Sequence, residues 1–150
     1  MSFYQILIVI HVLSAIMGLG PGFVMIYIVT KAETMTELRH AYLIRNRVHL
    51  FVMIGGTLLL LSGLAMGIIR PYLFKFGWYV TSLILFLIAL GFGPLILSPR
   101  SKPLKKIIKE QDDDLIPPEY YPLAKNLFFY ERVENMIFIV IIILMITKPF

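Results

Sequence analysis

His11 is an imidazole set inside an apolar run. It lies about eight residues, or roughly 12 Å along a helix, beyond the start of the block Phe3 to Thr30. Polar groups at such a depth in a membrane segment face the bundle interior and mark a ligand, a proton path or an interhelical hydrogen bond. His11, Ala15, Gly18 and Gly22 stand at i, i+4, i+7 and i+11, a stripe of small residues with the imidazole at one end, and Ser14 adjoins it. Two uses fit that stripe. Gly18-x-x-x-Gly22 lets two helix backbones approach closely, as does Gly63-x-x-x-Gly67 further along. A porphyrin plane resting on Gly18 and Gly22, with His11 as axial ligand to haem iron, would use the same spacing.

Glu134 is the second ionisable group within an apolar run, with Glu131 one turn before it and Arg132 and Arg47 as partners within reach of such a turn. A carboxylate paired with arginine anchors a bundle; the alternatives are proton transfer, or arginines that hold a ligand's carboxylates. His49 begins a later apolar block and shares a stripe with Met53, Gly56, Leu60, Gly63 and Gly67. Its depth differs from that of His11, so the pair is not expected to clamp one haem. A thioether such as that of Met53 can ligate haem, yet methionine in a membrane helix mostly packs. His40 reads as a loop residue. The chain has no cysteine, which excludes disulfides, thiolate metal sites and cysteine nucleophiles.

The elements that carry these residues follow from the patterning. Of the 150 residues, 59% are hydrophobic, and the mean hydropathy is +0.84, well outside the range of soluble domains. The apolar residues fall in four blocks, 3–30, 48–69, 78–98 and 127–147, each long enough to cross a hydrocarbon core of about 30 Å. The first block has no basic segment before it and is interrupted by His11 and Gly20-Pro21, so it reads as a permanent helix and not a secretion signal. The expected fold is all-α: one integral membrane four-helix bundle over 1–150, with loops 31–47 and 99–126.

Both of those loops are basic. Lys31, Arg39, Arg45 and Arg47 occupy one, and Arg100, Lys102, Lys105, Lys106, Lys109 and Lys125 the other; the short loop between the middle helices has only Arg70 and Lys75. The positive-inside rule places the two basic loops in the cytoplasm and both termini outside the cell membrane. In the longer loop, Pro103 is expected to open a short helix, Leu104 to Glu110, whose lysines meet anionic headgroups. Asp112, Asp113 and Asp114 read as a solvated acidic turn, with cation recruitment the rarer use. Gly18-Leu19-Gly20-Pro21 recurs as Gly91-Phe92-Gly93-Pro94, and Arg47-Val48-His49 is echoed by Arg132-Val133-Glu134. Two parallel helical-hairpin repeats would result, with a site at their interface.

The run Tyr4 to Ile16 containing His11-Val12-Leu13-Ser14, the pair Gly63-Leu64, and the closing Lys148-Pro149-Phe150 resemble the HemJ-type protoporphyrinogen oxidases; CopD-like copper-resistance membrane domains look similar. The resemblance implies a small four-helix membrane protein holding haem b through the histidine of its first helix, here His11. It departs in the third helix. Where that family has Trp-x-His-x-Lys, this chain reads Trp78-Tyr79-Val80-Thr81-Ser82, and a hydroxyl at Ser82 cannot act as a charged donor or amine ligand.

Taken together, the sequence points to a multi-pass haem b-binding protein with a redox role, either electron transfer or oxidation of a porphyrinogen-like or quinol-like substrate. The site residues are then His11 (axial), Ser14, Ala15, Gly18 and Gly22, with Arg47 and Arg132 for propionates and His49 and Glu134 as further intramembrane polar groups. The lipid bilayer, a porphyrin or a quinone, and a second copy or another membrane subunit are the partners this reading brings. The alternative is a non-enzymatic accessory membrane subunit, whose glycine faces pack on a partner, or a copper-related transport module. Met17, Met25, Met53 and Met66 are scattered rather than aligned along one path, which weighs against the latter.

Overall fold

Apolar side chains cover most of this protein's outside. In the computed structural model, which describes residues 1–150, only 31 residues are buried, while large aliphatics such as Leu13, Ile16, Leu95 and Ile146 are 60–76% exposed. Water would not sustain such a surface; lipid does. Beneath it lie four long helices and no strand: α1 (Phe3–Thr30), α2 (Met35–Ile69), α3 (Gly77–Glu110) and α4 (Tyr120–Thr147). The first three combine the length and apolar composition needed to cross a membrane. In α4 the charged residues Glu131, Arg132 and Glu134 interrupt the apolar run.

The helices are longer at the basic end than the apolar blocks suggest, which corrects the expected loops 31–47 and 99–126. Helix α2 starts at Met35, because Thr34 and Glu37 form a reciprocal capping box and Asp114 reaches across to accept from the Thr36 amide (2.9 Å) and hydroxyl (2.6 Å). These bonds, made to the ionised carboxylate, hold the Asp114 carboxyl below its ordinary range. One member of the acidic run is therefore a helix cap. Helix α3 continues through Pro103, so no separate helix opens there, and only the connections 31–34, 70–76 and 111–119 remain outside the four helices. His40 lies within α2, not in a loop.

Both Gly-x-Gly-Pro segments disturb their helices, for a shared reason. Proline has no N–H to donate to the carbonyl four residues back. At Gly20-Pro21 the ladder of α1 breaks between Leu19 and Gly22, and at Gly93-Pro94 α3 widens into a π-helical turn over Gly93–Leu97. Helix α1 packs along α2 and α3 along α4, as two hairpins, while α2 and α4 meet at the basic end. That end holds the largest apolar cluster, with Met35, Leu38, Leu104 and Leu127 shielded almost completely. At the opposite end the chain folds back: Phe150 lies against Gly77, and its carbonyl oxygen accepts from the Trp78 amide at 3.0 Å.

The closest approach of two helices is glycine on glycine. A Cβ added at Gly18 would stand 2.6 Å from the Gly56 amide nitrogen and 2.8 Å from the Gly55 carbonyl carbon, both backbone atoms. Gly56 itself has open space where its Cβ would go. Gly18→Ala should therefore destabilise the bundle by about 1–3 kcal/mol through forced separation of α1 from α2. Gly56→Ala should be neutral or stabilising by up to about 1 kcal/mol from helix propensity alone. Unfolding of each variant in detergent micelles measures the difference, and equal losses would contradict this packing.

Candidate functional site

His11 faces α2. Its Nδ1 lies 2.9 Å from the Ser62 hydroxyl, and a Cβ on the next residue, Gly63, would come within 3.2 Å of the imidazole Cε1. Glycine at position 63 thus leaves the imidazole its room. The Ser62 Oγ is 2.7 Å from the Leu58 carbonyl oxygen, four residues back, an acceptor for its proton. The Leu59 carbonyl is a second acceptor at 3.2 Å. With the hydroxyl proton on either carbonyl, Ser62 accepts from Nδ1–H and Nε2 presents a bare lone pair; with it turned to Nδ1, the imidazole proton sits on Nε2. No protein donor lies within hydrogen-bond distance of Nε2. The first of these is the arrangement in which an imidazole binds a metal: one nitrogen oriented by a hydrogen bond, the other free.

The third helix reaches the same stretch of α2. The Tyr79 hydroxyl donates to the Gly63 carbonyl oxygen at 2.8 Å, and Gly67 is where its ring and that of Phe74 meet α2. One turn deeper, Ser82 is 1% exposed and its hydroxyl has no hydrogen-bond partner. An orphaned buried hydroxyl costs on the order of 1–3 kcal/mol.

The remaining residues of the expected haem face are otherwise engaged. Ser14 is buried and its hydroxyl donates to the Ile10 carbonyl at 2.6 Å; Ala15 packs on the apolar cluster of Leu19, Leu59, Phe86 and Phe138. Gly18 is covered by the backbone of Gly55 and Gly56, and Gly22 by Asn135, whose amide donates to the Gly22 carbonyl at 3.1 Å. A porphyrin cannot lie on those two glycines because α2 and α4 already do. The small-residue stripe is helix packing within the chain, and Gly55, its tightest contact, was not part of the expected pattern. Arg47 and Arg132 are exposed and do not join His11: fifteen residues of α2 separate Arg47 from Ser62, about 22 Å along the axis. His49 and Met53 are likewise exposed, and no three His, Asp or Glu side chains converge as a metal cluster.

The intramembrane ion pair forms between residues other than those expected. Arg45 on α2, not Arg47 or Arg132, meets Glu131 on α4, not Glu134. Nη1 donates to Oε2 at 3.2 Å and Nη2 to Oε1, a two-pronged contact with both side chains buried. The guanidinium lies 5.8 Å from the Tyr42 ring centre and 5.9 Å from that of Phe128, and Tyr42 and Tyr120 share a hydrogen bond of 3.1 Å alongside. Glu134, half-buried, makes no hydrogen bond or ion pair. A sequence signal for Arg45 existed in its helical phase: Leu38, Ala41, Tyr42 and Arg45 fall on the face of α2 that is buried.

Comparison with known proteins agrees on the class. The model of a family described as predicted integral membrane protein (DUF2269) matches residues 5–149, and the chain belongs to that family. No curated protein and no solved structure matches it.

The Arg45–Glu131 contact joins the two hairpins at the basic end, which makes a double-mutant cycle decisive. Arg45→Met or Glu131→Leu alone leaves a buried charge unpaired and should cost about 3–5 kcal/mol. The two together should recover most of that loss, because an apolar pair replaces a desolvated one. Additive losses in micelle unfolding would show that the pair does not couple.

Proposed function

We propose that this member of the family is a haem b-binding redox protein of the membrane, with His11 as an axial ligand through Nε2. The observation that supports this most is the 2.9 Å contact between Nδ1 and the Ser62 hydroxyl, which orients the imidazole of a histidine deep in an apolar helix while Nε2 makes no hydrogen bond. The donor chemistry fits a haem iron. The side of His11 turned away from Ser62 is the one a haem would take, since Gly18 and Gly22 are covered. Bound haem would supply one-electron chemistry, toward a porphyrinogen-like or quinol-like reductant that partitions into the bilayer.

The chain's own contribution is orientation and exclusion of water. Ser62 orients the imidazole and, by accepting from Nδ1–H, would strengthen Nε2 as a ligand; Gly63 leaves the ring space, and the surrounding apolar side chains keep the site dry. Tyr79 ties α3 to the same turn of α2. This reading also includes a fourth crossing by α4, whose 28 residues run antiparallel to α3, with the basic connections in the cytoplasm and both termini outside.

The purified protein, expressed with ample haem, should show a Soret band that His11→Ala abolishes. Ser62→Ala should keep the fold and weaken haem retention by roughly 10- to 100-fold, the usual effect of losing a ligand's hydrogen-bond partner. A colourless wild type, or a band unchanged in His11→Ala, would refute the assignment. For the topology, a reporter active only in the cytoplasm should stay silent when fused after Phe150, and strong activity there would reverse the orientation.

A further inference from the structure

The basic end carries a groove that the haem reading does not use. It lies between the start of α2 and the end of α3, has a volume of about 540 Å³, and is lined by Arg39, Lys105 and Lys109 with Asp112 as its one carboxylate. Arg39 fixes its shape. Its Nε donates to the Ile108 carbonyl at 3.1 Å and its Nη2 to the Gln111 carbonyl, so the guanidinium ties α2 to the last turn of α3. Lys105 and Lys109, one helical turn apart and both exposed, have no ion-pair partner. Asn46 adds a neutral amide to the rim.

Past the exposed Asn46 and Arg47, which stand at i+3 and i+4 from Leu43, apolar surface resumes toward the membrane. Leu43 lines the groove, and Leu50 and Ile54 follow at i+7 and i+11 on the same face of α2; they are 48%, 59% and 45% exposed. The groove itself sits just past the apolar spans of α2 and α3, at the depth of lipid headgroups. We propose that it binds the phosphate of an anionic phospholipid, with Lys105 and Lys109 as the charged donors and an acyl chain lying along Leu43, Leu50 and Ile54. A free phosphate would satisfy the lysines but has no use for that stripe. The site stands independently of His11 and of any haem.

The test is short-chain phosphatidylglycerol titrated into the purified full-length protein in a neutral detergent, followed by native mass spectrometry and thermal unfolding. Phosphatidylcholine of the same chain length and inorganic phosphate are the parallel probes. Phosphatidylglycerol should bind and stabilise the wild type, with neither control doing so. Lys105→Gln with Lys109→Gln should weaken it roughly 30-fold, from about one headgroup-strength contact per lysine. Lys31→Gln with Lys125→Gln removes the same charge elsewhere at this end and should change little. Equal loss in both pairs would reduce the effect to diffuse attraction and overturn the site. Binding of inorganic phosphate as tight as that of the lipid would overturn the lipid assignment, as would equal binding of phosphatidylcholine.

Discussion

Within hydrocarbon no water is available to satisfy a polar group, so each one must find a partner inside the bundle or face a cost of several kcal/mol. That constraint explains more of this molecule than any single contact. It forces the backbone into four long helices. It also dictates how the polar side chains within those helices are handled: His11 with Ser62, Tyr79 with the Gly63 carbonyl, Asn135 with the Gly22 carbonyl, and Arg45 with Glu131. Every one of these joins two different helices. Apolar packing is not a sufficient clasp in lipid, where a leucine gains little by leaving the acyl chains, so close backbone contact and interhelical hydrogen bonds decide which helices pair.

Glycine placement makes those hydrogen bonds reachable. Gly18 against Gly55 and Gly56 brings α1 and α2 together at their midpoint, and Gly63 then leaves the imidazole of His11 space beside Ser62. One turn along the same face of α2, Gly67 makes room for the Tyr79 hydroxyl, which reaches the Gly63 carbonyl. Gly55, Gly63 and Gly67 on one helix thus receive a backbone, an imidazole and a phenol. A side chain at Gly55 would meet the backbone of α1 and force the helices apart, while one at Gly63 or Gly67 would crowd the imidazole or the phenol.

The four helices were legible because a run of some 20 apolar residues has few alternatives, and the stripe His11, Ala15, Gly18, Gly22 correctly marked a packed face. Its occupant was not legible. Spacing says that something flat or slender comes close, and a neighbouring glycine backbone satisfies that as well as a porphyrin does. The helix ends were misjudged for a different reason. Met35 to Arg47 and Ser98 to Glu110 are polar enough to read as loops, but a capping box at Thr34 and a cap from Asp114, seventy-eight residues away from Thr36, extend the helices beyond the apolar blocks. Charge alone does not tell which of Arg45 and Arg47 lies on the buried face; Ala41 and Tyr42, on the same face as Arg45, carry that information.

The two interhelical polar contacts differ in a way that follows their depth. Arg45 and Glu131 form a charged pair near the basic end, where headgroups and water limit the cost of desolvation and aromatic rings from Tyr42 and Phe128 flank the cation. His11 and Ser62 lie deeper among apolar residues, and there the contact is between neutral groups. A carboxylate partner for His11 would have stranded a charge in hydrocarbon whenever the imidazole was neutral. A hydroxyl beside the Leu58 and Leu59 carbonyls orients the ring without adding charge. The ring's other nitrogen, Nε2, makes no hydrogen bond within the bundle, so at this depth one polar atom of the imidazole is left without a partner in the chain.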